Sequence, residues 1–229
     1  MKYIKYILIP FSIFLLLSCG GEEEKDKMKE GEVLYRVSYL ENNMSKNIPT
    51  NLLPGKMSLR FKNDKSIIEI EGFMGLFSMT ILNDHNKQVS TSLLKVIDKK
   101  YYYVGEPGET SFCFREIPGM KVELRKGMKE IAGVKCKRGR VIFPESDEEP
   151  FIFYYTKQIG IKYPNYDNPY SNVDGVMMKF QMKLHKLRME LTATKVKPTK
   201  VSNDEFDVPP GFKKVSKNDM EEILSTLME

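Results

Sequence analysis

The chain has 229 residues, with 36 basic and 31 acidic side chains and a formal net charge of +5. So mild an excess, with acids interspersed among the bases, argues against a nucleic-acid partner, and the length suits one domain with one substantial core. Three cysteines and two histidines leave little material for a metal cluster or a disulfide framework.

In chain order the first element is apolar. Lys2 and Lys5 precede an apolar run over residues 7–17, followed by Ser18, Cys19 and two glycines. Charge, apolar run and small residues in that order form the layout of a secretory signal. The run is well short of the ~20 residues that span a bilayer as a helix. Leu16-Leu17-Ser18-Cys19 resembles the lipobox of bacterial lipoproteins, which implies cleavage before Cys19 and acylation of its thiol. The alternative is an ordinary cleaved signal followed by an incidental cysteine. The expected organisation is a signal peptide over 1–18, a flexible acidic tether over 19–31, and a single domain over 32–229. The tether, "GGEEEKDKMKEG" after the cysteine, lacks the apolar content to fold by itself. Its three glutamates resemble the acidic export signal of surface lipoproteins. Such an anchor implies a cell-envelope location, most simply the outer membrane, with the membrane itself as a partner through Cys19.

From Val33 onward the pattern is alternation. Val33, Tyr35, Val37 and Tyr39 share one side of a strand; Met57, Leu59 and Phe61 share one side of the next. Ile68 and Ile70 then oppose Glu69 and Glu71, and Phe77, Met79 and Ile81 continue the series. Period-two alternation over four to eight residues marks a half-buried strand. Polar turns such as "KNDK" and "NDHNK" separate the runs, which predicts an antiparallel meander with one wet face. "KKYYYVG", "VKCKRGRVIF" and "PFIFYYTK" suggest further strands.

Residues 175–196 admit two patterns. Met177, Phe180, Leu184, Leu187 and Leu191 fit helical spacing, whereas Val176, Met178, Phe180, Met182 and Leu184 alternate strictly. A second alternating run, Leu187, Met189, Leu191 and Ala193, follows a shift of one at His185-Lys186, and the β-branched tail favours two strands. The C-terminus predicts a helix, with Ser216 as cap and Met220, Ile223, Leu224, Leu227 and Met228 on one face.

The chemistry of the chain is sparse. His85 and His185 each fall in a predicted exposed turn, outside any metal-ligand spacing, so no metal, no cofactor and no catalytic residue is expected. Cys113 and Cys136 stand either as a disulfide pair or as two free thiols in or near the sheet. What the chain does have is adaptable apolar surface, with 14 methionines, 13 phenylalanines, 12 tyrosines and no tryptophan. Met57, Ile68, Met79, Met178, Phe180, Met182, Met189 and Leu191 are the candidates for a hydrophobic ligand site, or else ordinary core. The loop "KYPNYDNPYSNVDG" offers Tyr163, Tyr166 and Tyr170 as a rim for a partner, or as pins that hold the loop down.

The phrase "IAGVKCKRGRVIF", the aromatic strand "FIFYYTKQIGIKYP" and a hairpin ending in "ELTATKVKPTKVSNDEFDVPPGFKKV" follow the lipobox in that order. This series resembles uncharacterised lipoproteins of the LolA/LolB-like superfamily, including the terminal phrase formed by Phe206, Pro209, Gly211 and Phe212. The resemblance implies an α+β fold. Its centre would be a strongly curved antiparallel β-sheet, a half-barrel, with a few helices on or near the concave face, including the C-terminal one. It also implies a non-catalytic protein that holds a lipid-like or acyl-chain ligand, or a lipoprotein. The alternative is a surface interaction or sensor protein with a filled core that docks a protein or glycan.

Overall fold

The structure, a computed structural model, describes residues 27–42, 53–72, 77–111, 117–184 and 187–228. The predicted signal, Cys19 and most of the tether lie outside these residues, as do Cys113 and His185.

Twelve strands form one sheet. The first six are β1 (Glu30–Asn42), β2 (Lys56–Lys62), β3 (Lys65–Glu71), β4 (Phe77–Asp84), β5 (Val89–Val96) and β6 (Lys99–Val104). Then come β7 (Lys121–Ile131), β8 (Val134–Ile142), β9 (Phe151–Thr156), β10 (Val176–Leu184), β11 (Leu187–Lys197) and the two-residue β12 (Lys213–Lys214). One α-helix follows, α1 (Lys217–Met228). The spatial order is β12-β6-β5-β4-β3-β2-β1-β11-β10-β9-β8-β7. Two antiparallel meanders, β1 to β6 and β7 to β11, are thus joined along β1 and β11, with Val33 opposite Val196 and Val37 opposite Leu191. Only β12 runs parallel, alongside β6. The ambiguous segment is a hairpin: Leu184 faces Leu187 and Met182 faces Met189.

The expected α+β class is overturned. The fold is β-rich, and among the described residues α1 is the single α-helix. The coverage that helices were expected to give comes from irregular chain on both faces. Residues 157–175 cross one face, and a strap over residues 198–212 crosses the other. Pro164 and Pro169 in the loop, and Pro198, Pro209 and Pro210 in the strap, lack the N–H that a helix interior needs.

The sheet therefore buries residues on both sides. The larger core gathers Val33, Tyr35, Leu59, Met79, Phe153, Met178, Leu191 and others on one face, all 8 % exposed or less. A smaller core on the other face holds Ile67, Leu82, Leu93 and Val201. Val201 belongs to the strap, and Phe206, Val208 and Phe212 pack with it. Lys62 Nζ donates to the Val201 carbonyl (2.9 Å), and Glu205 pairs with Arg60. After β12 the chain returns to the first face, where α1 buries Met220 and Leu224. Ser216 caps α1 reciprocally: the Asp219 N–H donates to Ser216 Oγ (3.2 Å), and the Ser216 N–H donates to the Asp219 carboxylate (3.2 Å).

Part of the predicted tether is structured. β1 starts at Glu30, and Met28 bridges Ile159 in parallel, with the Met28 N–H donating to Gln158 O (2.8 Å). Gly139 of β8 is needed for a different reason. It faces Phe153, and an added Cβ would overlap the Phe153 ring.

Candidate functional site

The site lies where the 157–175 loop covers the larger core. Each loop tyrosine has a different task. Tyr170 is 2 % exposed; its hydroxyl donates to Gln181 O (2.6 Å), and its ring stands edge-on to Phe153 and Phe180, at 5.4 and 5.9 Å. Tyr166 lies across the opposite strands, with its hydroxyl donating to Asn83 Oδ1 (3.1 Å) and 2.9 Å from Ser90 Oγ. Tyr163 is 65 % exposed and adopts a left-handed backbone (φ 46°). Tyr166 and Tyr170 are therefore pins, and only Tyr163 is free to act as a rim.

Buried polar groups complete the fastening. The Asn165 amide donates to Val173 O and Gly175 O (2.8 and 2.9 Å), closing the loop on itself. Asp167 is 1 % exposed and accepts from Ser90 Oγ (3.1 Å), while its carbonyl accepts the Ser111 N–H (2.8 Å). Burial is the largest influence on its carboxyl and raises its pKa to about 6.

His85 departs from expectation. The sequence predicts an exposed turn residue, yet it is 1 % exposed. Its Nδ1 faces Tyr163 O (3.3 Å) and its Nε2 faces Ser66 Oγ (2.8 Å). A carbonyl can only accept, so Nδ1 carries the proton and Nε2 accepts from the serine hydroxyl. Desolvation lowers its pKa to about 4, which keeps the ring neutral. The ring also meets Tyr166 edge-on at 5.5 Å. With no carboxylate on either nitrogen and its lone pair spent on Ser66, His85 is a structural linker between loop and sheet. Nothing in the sequence around "NDHNK" signals this, because the partners come from β3 and from a loop far along the chain.

Beneath the loop is an apolar cavity of about 50 Å³. Of the predicted ligand-site residues it is lined by Met57, Ile68, Phe180 and Met182. Met79, Met178, Met189 and Leu191 are packed elsewhere in the core, each 2 % exposed or less. Sequence reasoning missed Tyr35, Ser66, His85 and Met177 in the lining. Tyr35 closes the floor: its hydroxyl donates to Met177 O (2.9 Å) and its ring meets Phe180 at 6.2 Å. Side chains of β3 and β10 share this small space, although a flat sheet would hold those strands about 19 Å apart. The sheet is therefore bent across its middle.

Cys136 is fully buried, and desolvation raises its thiol pKa to about 11, so it is no nucleophile. Its suggested partner, Cys113, lies outside the described residues. Among the described residues no group of three or more His, Cys, Asp or Glu side chains is placed to hold a metal ion. No described helix is long and apolar enough to cross a membrane.

No protein-family model matches the chain, and no curated protein matches it. Solved structures do. PNGF-II in a P21 crystal form superposes with a TM-score of 0.54 at 12 % identity, over 86 % of this chain and 34 % of PNGF-II. A C2 form of the same protein gives 0.54 at 11 % identity, over 86 % and 33 %. At that identity the likeness is one of fold, and this chain spans about a third of PNGF-II's length.

Proposed function

We propose that the chain is a lipoprotein anchored in the cell envelope through acylated Cys19, and that its sheet is a non-catalytic scaffold docking a partner through its surface. The observation that supports this is the filled inner face. Phe153, Tyr170, Met178 and Leu191 are each 2 % exposed or less. The cavity beneath the loop, about 50 Å³, has room for a few water molecules at ~10–15 Å³ each, not for an acyl chain. The proposal includes membership of the LolA/LolB-like superfamily. It rests on the terminal phrase, whose Phe206 and Phe212 lie in the strap and pack with Val201 against Ile67, Leu82 and Leu93.

A second reading, a lipid-like ligand beneath the loop, is favoured by the flexible Met57, Met177 and Met182 that line the cavity. One pair of measurements decides. Palmitate labelling of the chain in bacterial cells is expected to depend on Cys19 and to vanish in Cys19→Ala. Titration of the full chain with a fluorescent fatty acid is expected to show no saturable binding. Unlabelled protein would sink the anchor, and saturable binding weakened by Met182→Trp would install the second reading.

A further inference from the structure

One edge of the sheet is closed and the other is open. β12 pairs with β6, whereas β7 has β8 on one side and no described strand on the other. β7 has 11 residues, about twice the length of a common strand, and its outer side presents a row of backbone N–H and C=O groups without a ladder partner. A register shift between Arg125 and Met128, with Gly127 at φ 125°, interrupts that row. The regular stretch is residues 121–125, paired without a break to residues 138–142 of β8. Within it, Asn172 of the loop donates to Val122 O at 3.5 Å.

Two apolar rows of the larger core run into this stretch. Phe153 faces Gly139, which faces Leu124; Phe151 faces Val141, which faces Val122. Directly opposed residues share one face of a sheet. Phe153 and Val141 are 0 % exposed and Val122 packs against the same core, yet Leu124, at the end of its row, is 53 % exposed. The core rows thus stop one strand short of cover. At the alternate positions Glu123 and Arg125 pair with each other, and Lys121 has no acidic partner among the described residues.

We propose that residues 121–125 accept an extended, acidic segment of a partner protein as a thirteenth strand of the sheet. This rests on the surface-docking reading above and names the partner's class. The open backbone groups are satisfied by another strand's backbone, which neither a lipid surface nor a glycan supplies at ladder spacing. Apolar residues at alternate positions of the segment would extend the Phe153 and Phe151 rows and cover Leu124. Acidic residues between them would meet Lys121 and the neighbouring Lys126, the same cations that repel a second copy of β7.

The test is a fluorescence-anisotropy titration of the full chain, in a non-ionic detergent, against a labelled heptapeptide of alternating glutamate and valine. Saturable binding is expected, with slowed hydrogen exchange at the amides of residues 121–125 and unchanged exchange in β6. Leu124→Asp is expected to weaken binding about tenfold and Lys121→Glu about threefold. Ile97→Asp and Lys99→Glu, exposed beside β6, are expected to change it by less than about twofold. No saturable binding, binding without protection of β7, or equal weakening by the variants beside β6 overturns the proposal. Equal affinity for a lysine–valine heptapeptide overturns the acidic partner. A free chain that sediments as a dimer with its β7 amides already protected overturns it in favour of a second copy. Leu124-dependent binding to phosphatidylglycerol vesicles, with none to the peptide, overturns it in favour of a lipid surface. Failure of the palmitate or fatty-acid measurements would remove the anchored-scaffold reading and leave this titration unchanged, so the two failures are distinguishable.

Discussion

The two meanders of the sheet solve the same burial problem in opposite ways. β3, β4 and β5 are covered on both faces, by the larger core on one side and by the strap on the other, so adjacent residues such as Ile67 and Ile68, or Leu93 and Leu94, both point into protein. β7, at the far edge, is exposed along most of its length, with Leu124 at 53 % and Met128 at 68 %. The two edges differ as well. β6 is sealed by β12, whereas β7 has no further neighbour among the described residues and carries Lys121, Arg125, Lys126 and Lys129. Charged side chains on an open edge discourage pairing with another copy. Cover on both faces demands apolar runs; an open edge demands charge.

The contrast is sharpest in truncation. Ile67→Ala, under the strap, is expected to cost about 2–5 kcal/mol in urea unfolding of the full chain. Leu124→Ala and Met128→Ala in β7 are expected to stay within about 0.5 kcal/mol. Equal losses in the two places would mean that the strap contributes no core.

Protons set the two sides of the loop against each other, by about 3 kcal/mol each. The neutral form of His85 is favoured in the fold, with a pKa near 4 against 6.5 unfolded. Its contribution is complete above about pH 6.5 and lost as pH falls toward 4. Asp167 acts in the reverse sense, because burial raises its pKa from 3.8 to about 6. Its protonated form is favoured in the fold, so its contribution is greatest below pH 4 and lost as pH rises through 6. The two slopes oppose one another between about pH 4 and 6. Asp167→Asn is therefore expected to leave stability rising steeply with pH across that window, and His85→Gln to leave it falling. Flat profiles in both variants would contradict the buried placements.

Gly139→Ala probes the assumption that the wet half tolerates everything. The added methyl would displace the Phe153 ring, with an expected loss of about 1–3 kcal/mol from overpacking. An unchanged midpoint would mean that Phe153 moves at no cost. A smaller loss than that of Gly139→Ala is expected at the end of the chain, where Ser216→Ala removes a cap at a cost of about 1 kcal/mol. If helicity and midpoint are unchanged, Asp219 carries the cap alone.

Legibility in the sequence followed the same division. Strands with one buried face were readable, as in Val33-Tyr35-Val37 and Met57-Leu59-Phe61, because alternation records one dry side. β5 was not assigned, since Ser92, Leu93 and Leu94 are all buried and the alternation is erased. β7 was not assigned for the opposite reason, having almost no buried side to alternate. The site was half legible. Met57 and Met182 carry an apolar signal, but His85, Ser66 and Asn165 acquire their roles from partners distant in sequence.

The seam between β1 and β11 has a temporal consequence. Glu32 pairs with Lys197, so the first strand cannot obtain its second neighbour until almost the whole chain has been made. Contacts of such long sequence separation form slowly, on the order of milliseconds to seconds in all-β domains. Until then the first meander has an open edge at β1, and a chain held open in this way remains threadable. For a protein that we propose crosses a membrane before it is anchored, late closure keeps the nascent chain fit for export, and the last strand of the second meander locks it once it has arrived.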